Sequence, residues 1–428
     1  MNAQGTLCTV CTGCGKCFPG GRAEQLHIVT ESIFGWGESV SAPVGDGGAG
    51  ELLAADVGTT TIAMARISGA GEILQSFTRV NPQVRFGADV LSRIQAAKDP
   101  EKARIMRESV REVLAEGVRE LTRSECVQSE PADDGLSPSL YIAANTTMSY
   151  LLLGYDPKEL GEAPFYASHV NGGSLLLPRD TGISQEGSGN PASGILLPGF
   201  SAFVGGDLYA GALACGMGER EELQLLIDLG TNGEILLGNR EGILGCATAA
   251  GPAFEGGPNR GIFGADMVHL TAELLRRGYV DETGLLRDPY FENGITIGGL
   301  TVTQPQIRAI QLAKAAIAAG TRILMERRGV RPERISRVIL AGGFGYYLQP
   351  ADAARIGLLP EELAAKAVPG GNTALAGAAL YGRYAGQSAG QFAGQSAVPA
   401  LPPAKILNLA SLPEFETAYL EQLNFPVA

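Results

Sequence analysis

Residues 52–62 read Leu-Leu-Ala-Ala-Asp56-Val-Gly58-Thr59-Thr60-Thr61-Ile, and residues 224–235 read Gln-Leu-Leu-Ile-Asp228-Leu-Gly230-Thr231-Asn232-Gly233-Glu-Ile. Each is an apolar run, then Asp-x-Gly-Thr, then a second apolar run. The pattern predicts a strand, a tight turn and a second strand, twice over. Glycine in such a turn lets backbone approach a ligand closely. Thr and Asn put hydroxyl and amide groups at the tip, where successive backbone N–H groups cradle an anion. An Asp at the strand end suits a hydrated divalent cation, held through one or two carboxylates beside phosphates. Two such loops facing each other would clamp a nucleoside triphosphate from both sides.

Outward from the hairpins, residues 99–123 read as a helix. Asp99 is its N-cap, Pro100 lies in the first turn, and Met106, Val110, Val113, Leu114, Gly117 and Leu121 form one apolar face. Residues 139–144 read as a buried strand entering Asn145-Thr146-Thr147-Met148. Residues 203–215, which include Asp207, are rich in small residues and suit a helix packed close against another. Residues 304–328 read as a long helix, with Thr303 and Gln306 as a capping box and Gly329 as its stop. Residues 335–341 form an apolar strand ending in Ala341-Gly342-Gly343-Phe344-Gly345, and residues 371–384 make a second small-residue helix. Residues 385–404 are low in complexity and then Pro-rich, which reads as a linker. The last 24 residues carry helix-like and strand-like patches that dock back on the core.

Five features thus follow in order: hairpin, small-residue helix, hairpin, Gly-Gly-x-Gly after a strand, small-residue helix. This order resembles the signature of the superfamily of actin, sugar and acetate kinases and heat-shock ATPases. The resemblance implies an α/β protein with two ribonuclease-H-like lobes, a nucleotide cleft between them, and a small Cys-rich N-terminal segment in front. Carried over by position, Asp56 and Asp228 act near Mg2+. Gly58, Thr59, Thr60, Gly230, Thr231 and Asn232 contact the phosphates of ATP, and Gly342, Gly343 and Gly345 approach the adenosine. Asp207 either orients an attacking water or caps its helix. The implied organisation is 1–40 Cys-rich, 41–50 linker, 51–215 and 216–384 the two lobes, 385–404 linker and 405–428 tail.

Seven Cys are present, and four of them, Cys8-x-x-Cys11-x-x-Cys14-x-x-Cys17, fall within ten residues. In a chain read as cytoplasmic, dense Cys indicates metal binding rather than disulfides. The spacing is not that of a bacterial ferredoxin loop, because the last gap is two residues and Phe18 separates Cys17 from Pro19. A [4Fe–4S] cluster on all four thiolates is the first reading, and a four-thiolate structural zinc is its rival. Cys126, Cys215 and Cys246 read as buried small hydrophobes. His27, His169 and His269 show no metal spacing and read as surface or packing residues. Trp36 sits near the cluster segment, as a packing residue or a shield.

The 428 residues are 45% hydrophobic and 18% charged, with 59 Gly and a net charge of −12. That size accommodates two or three domains. The acidic balance argues against non-specific nucleic-acid binding, which needs a basic surface. No run approaches the roughly 18 apolar residues of a membrane helix, and no basic-then-apolar leader opens the chain. A cytoplasmic protein is expected.

The stretches Asn81-Pro82-Gln83…Gly87-Ala88-Asp89-Val90-Leu91-Ser92-Arg93-Ile94, Asn145-Thr146-Thr147-Met148, Asp228–Glu234 and Ala249-Ala250-Gly251-Pro252-Ala253-Phe254-Glu255-Gly256 narrow the resemblance. They are similar to the ATP-dependent reductive activators of corrinoid proteins and corrinoid-dependent methyltransferases. The likeness spans about residues 51–384 and the ending Pro413-Glu414-Phe415…Asn424-Phe425-Pro426. It implies ATP-driven reduction of a partner's Co(II) corrinoid to Co(I), with Cys8, Cys11, Cys14 and Cys17 holding the iron–sulfur relay. The electron donor is unidentified, and a homodimer is allowed rather than required. Two departures stand out. Some relatives carry a plant-type [2Fe–2S] domain and a further middle domain before the ATPase core, where this chain has about 35 residues. Gly257–Gly264 also differ from the family pattern. Two alternatives stay open: an electron injector of the 2-hydroxyacyl-CoA dehydratase activator type, and a metabolite kinase with a zinc knuckle.

Overall fold

The computed structural model describes residues 51–69, 71–123, 139–178, 192–230, 232–251, 264–297, 300–391 and 400–427. The four clustered Cys, the 41–50 linker, His27, Trp36, Cys126, Thr231 and residues 252–263 lie outside the described residues.

The first lobe opens with β1 (Leu52–Val57), β2 (Thr61–Ile67) and β3 (Ile73–Val80), an antiparallel meander. Next come α1 (Val90–Ala97), α2 (Pro100–Thr122), β4 (Leu140–Ala144), α3 (Thr146–Leu153), α4 (Lys158–Gly161), β5 (Gly173–Leu176) and β6 (Ser193–Leu196). β4 runs parallel to β1, giving the strand order β3-β2-β1-β4-β6-β5. Helix α2 buries Met106, Val110, Leu114 and Leu121 as the 3.6-residue period requires, and Asp99 accepts from Glu101 N at 3.0 Å.

After α5 (Gly206–Ala214) the second lobe repeats the plan. β7 (Leu223–Leu229), β8 (Gly233–Asn239) and β9 (Gly242–Thr248) form its meander. There follow α6 (Gly264–Arg276), the small hairpin β10 (Ile295–Ile297) and β11 (Leu300–Val302), and α7 (Gln304–Arg328). The chain continues through β12 (Ile335–Ala341), α8 (Gly342–Gly345), α9 (Pro350–Arg355), α10 (Glu361–Ala364), β13 (Ala367–Gly371) and α11 (Thr373–Gln391). It ends with β14 (Ala404–Leu407) and α12 (Pro413–Glu421). The order is β13-β12-β7-β8-β9-β14, with β12 parallel to β7. The terminal residues pack on this lobe. β14 pairs with β9, and the buried Lys314 on α7 donates to Asn424 O at 2.6 Å.

Helix α11 extends to Gln391, through residues 385–391 that the sequence reading assigned to a linker. Ala and Gln favour the helix, and the first proline after its start is Pro399, so nothing stops it at 384. Among the described residues no helix is long and apolar enough to cross a membrane.

The two lobes meet through α5 and α11, and each helix packs on the other lobe's sheet. Leu208 and Ala212 of α5 join a core with Leu226, Leu236 and Ile339, while Leu375, Ala378 and Ala379 of α11 join one with Ala54, Ala65 and Tyr141. At the crossing a Cβ on Gly377 would lie 1.9 Å from Ala210 O. That contact is backbone, so a methyl cannot be absorbed by a side-chain swing. Gly377→Ala should therefore force the helices apart and cost about 1–3 kcal/mol, several degrees in thermal melting. Gly242→Ala, whose methyl would reach its nearest atoms at 3.4 Å, should melt within a degree or two of the parent. Equal melting of all three proteins would refute the close crossing.

Candidate active site between the lobes

Both Asp-x-Gly-Thr hairpins open on one cleft of about 800 Å³. Asp56, at the end of β1, lies opposite Ala63 on β2 and beside Ala143 of β4. Asp228 lies opposite Glu234 on β8 and beside Ala341 of β12, the strand that runs into Gly342. Gly342 has φ +81°, and a Cβ on it would stand 2.7 Å from Asp228 Oδ1. Both the conformation and the space therefore demand glycine there.

Asp56, Gly58, Thr59, Thr60, Asp207, Asp228, Gly230, Asn232, Gly342 and Gly343 all line this cleft. Gly345 does not, because it is buried beneath the first turn after β12, against Leu340. Asp207 is not the helix cap. Gly205 holds that position, and Asp207 stands in the first turn of α5 with Oδ1 accepting from Leu208 N at 2.8 Å. In the first loop Gly58 N donates to Thr61 O at 2.9 Å, and Asn145 Nδ2 donates to Thr59 Oγ1 at 3.1 Å. In the second, Gly230 N donates to Asn232 O at 3.0 Å.

Three side chains in the cleft had no assigned role in the sequence reading. Asn372, just before α11, donates from Nδ2 to Asp56 Oδ2 at 2.8 Å while its Oδ1 accepts from Leu375 N. It ties the second lobe to the first-lobe carboxylate. Glu234 faces the cleft from the position directly across the ladder from Asp228. Counting back across the predicted hairpin would have found it. Asn145 was quoted only within a motif, and it serves both as the cap of α3 and as the partner of Thr59.

Four carboxylates thus share one partly exposed floor. Burial pushes Asp56 up to about 7, with the Asn372 hydrogen bond opposing and the charge of Asp207 adding. Burial raises Asp228 to about 7, helped by the charges of Asp207 and Asp56. Asp207 rises to about 6, again by burial, with backbone N–H donors opposing. Glu234 is pushed well up by burial and by Asp207 and Asp228. Like charges crowded in a low-dielectric site call for a cation. Among the described residues no three His, Cys, Asp or Glu side chains are grouped to hold a metal ion by themselves. The donor set fits a cation of the Mg2+ kind, which keeps waters and takes one or two carboxylates together with phosphate oxygens. Elsewhere, His269 Nδ1 lies 2.7 Å from Asp352 Oδ2, and Cys215 and Cys246 are buried free thiols.

Comparison with known proteins agrees with this architecture. The family model described as the RACo middle region matches residues 52–220, and the one described as the C-terminal ASKHA domain of RACo matches 222–259 and 257–428. The middle region is therefore the first lobe here, whereas the sequence reading set a further middle domain apart from the ATPase core. The corrinoid activation enzyme RamQ of Eubacterium limosum is 30% identical over 389 residues, covering 77% of this chain and 63% of its own length. A solved structure of a reductive activator for corrinoid, iron–sulfur protein superposes with a TM-score of 0.67 at 26% identity, covering 88% of this chain and 66% of that one. The chain thus spans a little under two thirds of the length of both relatives. Matched from β1 to its last residue by the two models in succession, the chain belongs to the RACo family.

Proposed function

We propose that this protein is an ATPase coupled to low-potential electron transfer, reducing the Co(II) corrinoid of a partner protein to Co(I). The observation that carries the reading is the convergence of both acidic loops, Asp207 and the Asn372 bridge on one cleft. The RACo membership and the activities named for RamQ and the reductive activator support the partner class.

In this reading the backbone N–H and hydroxyl groups of Gly58–Thr60 and of Gly230–Asn232 bind the phosphates of ATP. Asp56 and Asp228 hold Mg2+, directly or through water, and Gly342 and Gly343 leave room for the adenosine. Asp207 stands in the first turn of α5 facing the cleft, where its carboxylate orients the attacking water. Phosphoryl transfer to water then depends on position and electrostatics rather than covalent chemistry. Cys8, Cys11, Cys14 and Cys17 are the donor set for an iron–sulfur cluster, four soft thiolates on one short stretch. Bound there, the cluster supplies one-electron transfer.

Burial energetics give a pH dependence. The cleft carboxylates have folded-state pKa values above those of the unfolded chain, so the folded protein holds their protons more tightly. Their stabilising effect is full below the unfolded value of 3.8 and is lost progressively as pH rises from there through about 6–7. Asp228→Asn should raise the melting temperature of the nucleotide-free, chelated protein by a few degrees at pH 8, and by less than half as much at pH 5. An equal shift at both pH values would contradict the raised pKa.

The decisive test is anaerobic reduction of candidate corrinoid proteins, followed through the Co(II) and Co(I) absorption bands. Co(I) should form only with ATP, and Asp228→Ala should lower its rate at least 100-fold. Equal rates without ATP would reject the coupling. Cys14→Ala should abolish Co(I) formation while ATP affinity stays within about two-fold of the parent. Undiminished reduction by that variant would remove the thiolates from the electron path.

A further inference from the structure

The segment Asn81–Arg93 carries much of the sequence resemblance yet has no part in the function derived so far. Neither Asn81 nor Arg93 lines the cleft, and both side chains are fully buried. What they touch is the back of the first loop. Asn81 Nδ2 donates to Gly58 O at 2.8 Å, Arg93 Nη2 to Thr59 O at 2.6 Å, and Asn81 N to Thr60 O at 2.9 Å. Three consecutive loop carbonyls are thus held from behind. In a planar trans peptide the C=O of one residue and the N–H of the next point in opposite directions. Fixing the carbonyls of 58, 59 and 60 on the buried side therefore turns the N–H groups of Thr59, Thr60 and Thr61 toward the cleft, as an anion nest.

Arg93 suits this place better than lysine would. Its Nε donates to Gly87 O at 3.0 Å while Nη2 holds Thr59 O, so one rigid planar fork spans two carbonyls from different loops. It also sets a permanent positive charge behind a loop whose cleft otherwise carries four carboxylates.

We propose that Arg93 is a positioning residue for the triphosphate: with Asn81 it presets the first loop so that its N–H groups meet the phosphates. This rests on the reading of the cleft as a nucleotide site, and the test separates the two. Calorimetric titration of the full-length protein with Mg2+–ATP and with adenosine, which has no phosphates, is compared for the parent and Arg93→Lys. The variant should bind ATP at least ten-fold more weakly and adenosine within two-fold of the parent. If folded Arg93→Lys binds ATP as tightly as the parent, or loses ATP and adenosine alike, the proposal is overturned. A parent that binds neither ligand overturns the nucleotide reading itself. Should Arg93→Lys not fold, Asn81→Ser serves instead. It keeps a capping oxygen for the following turn but loses the amide donor to Gly58 O, and the same ATP-selective loss is expected, unchanged ATP affinity being the refutation.

Discussion

The close crossing of α5 and α11 is the constraint from which the site follows. With Gly377 against the backbone of Ala210, the two helices approach closely enough for each to lie on the other lobe's sheet. Two lobes joined this way present the same ends of their central strands to one gap, and those ends carry Asp56 and Asp228. The same crossing places the N-terminus of α11 at the gap, which is where Asn372 takes hold of Asp56. Larger side chains on either helix would widen the crossing and draw the two acidic turns apart.

That geometry has an electrostatic consequence. Burial, the largest influence, a hydrogen bond from the second lobe and the charge of Asp207 all act on Asp56. Without a bound cation the cleft floor opposes its own ionisation, so the lobes are held together by packing and by the Asn372–Asp56 hydrogen bond rather than by ion pairing. On the proposed reading, a cation held by Asp56 of one lobe and Asp228 of the other would reverse that balance.

Much of this was legible in the sequence. The two hairpins, the capped helices α2 and α7 and the strand before Gly342 follow from period, caps and glycine, all of which act over a few residues. The unread parts have physical reasons. Asn372 meets Asp56 across 316 positions of chain, and no local pattern reports such a contact. Arg93 was quoted only within a motif, and its burial in a short helix rests on contacts with Gly87 and Thr59 that a local pattern does not report. Gly345 shares a motif with Gly342 and Gly343, but the helical turn carries it beneath the strand end instead of toward the cleft. The helix beyond residue 384 was hidden by low complexity, which describes composition and not conformation.

The two hairpins look alike in sequence, yet the structure gives them different surroundings. Opposite Asp56 the ladder has Ala63, while opposite Asp228 it has Glu234. Behind the first loop stand Asn81 and Arg93, with Asn145 at its hydroxyl, so it is held by three side chains from outside the hairpin. The second loop carries the denser charge, and its described bond is internal, Gly230 N to Asn232 O. A preset anion nest lowers the ordering cost of binding, whereas a crowded pair of carboxylates gains most from a cation. The first hairpin is thus the more firmly held from behind, and the second sets the denser carboxylate charge at the cleft.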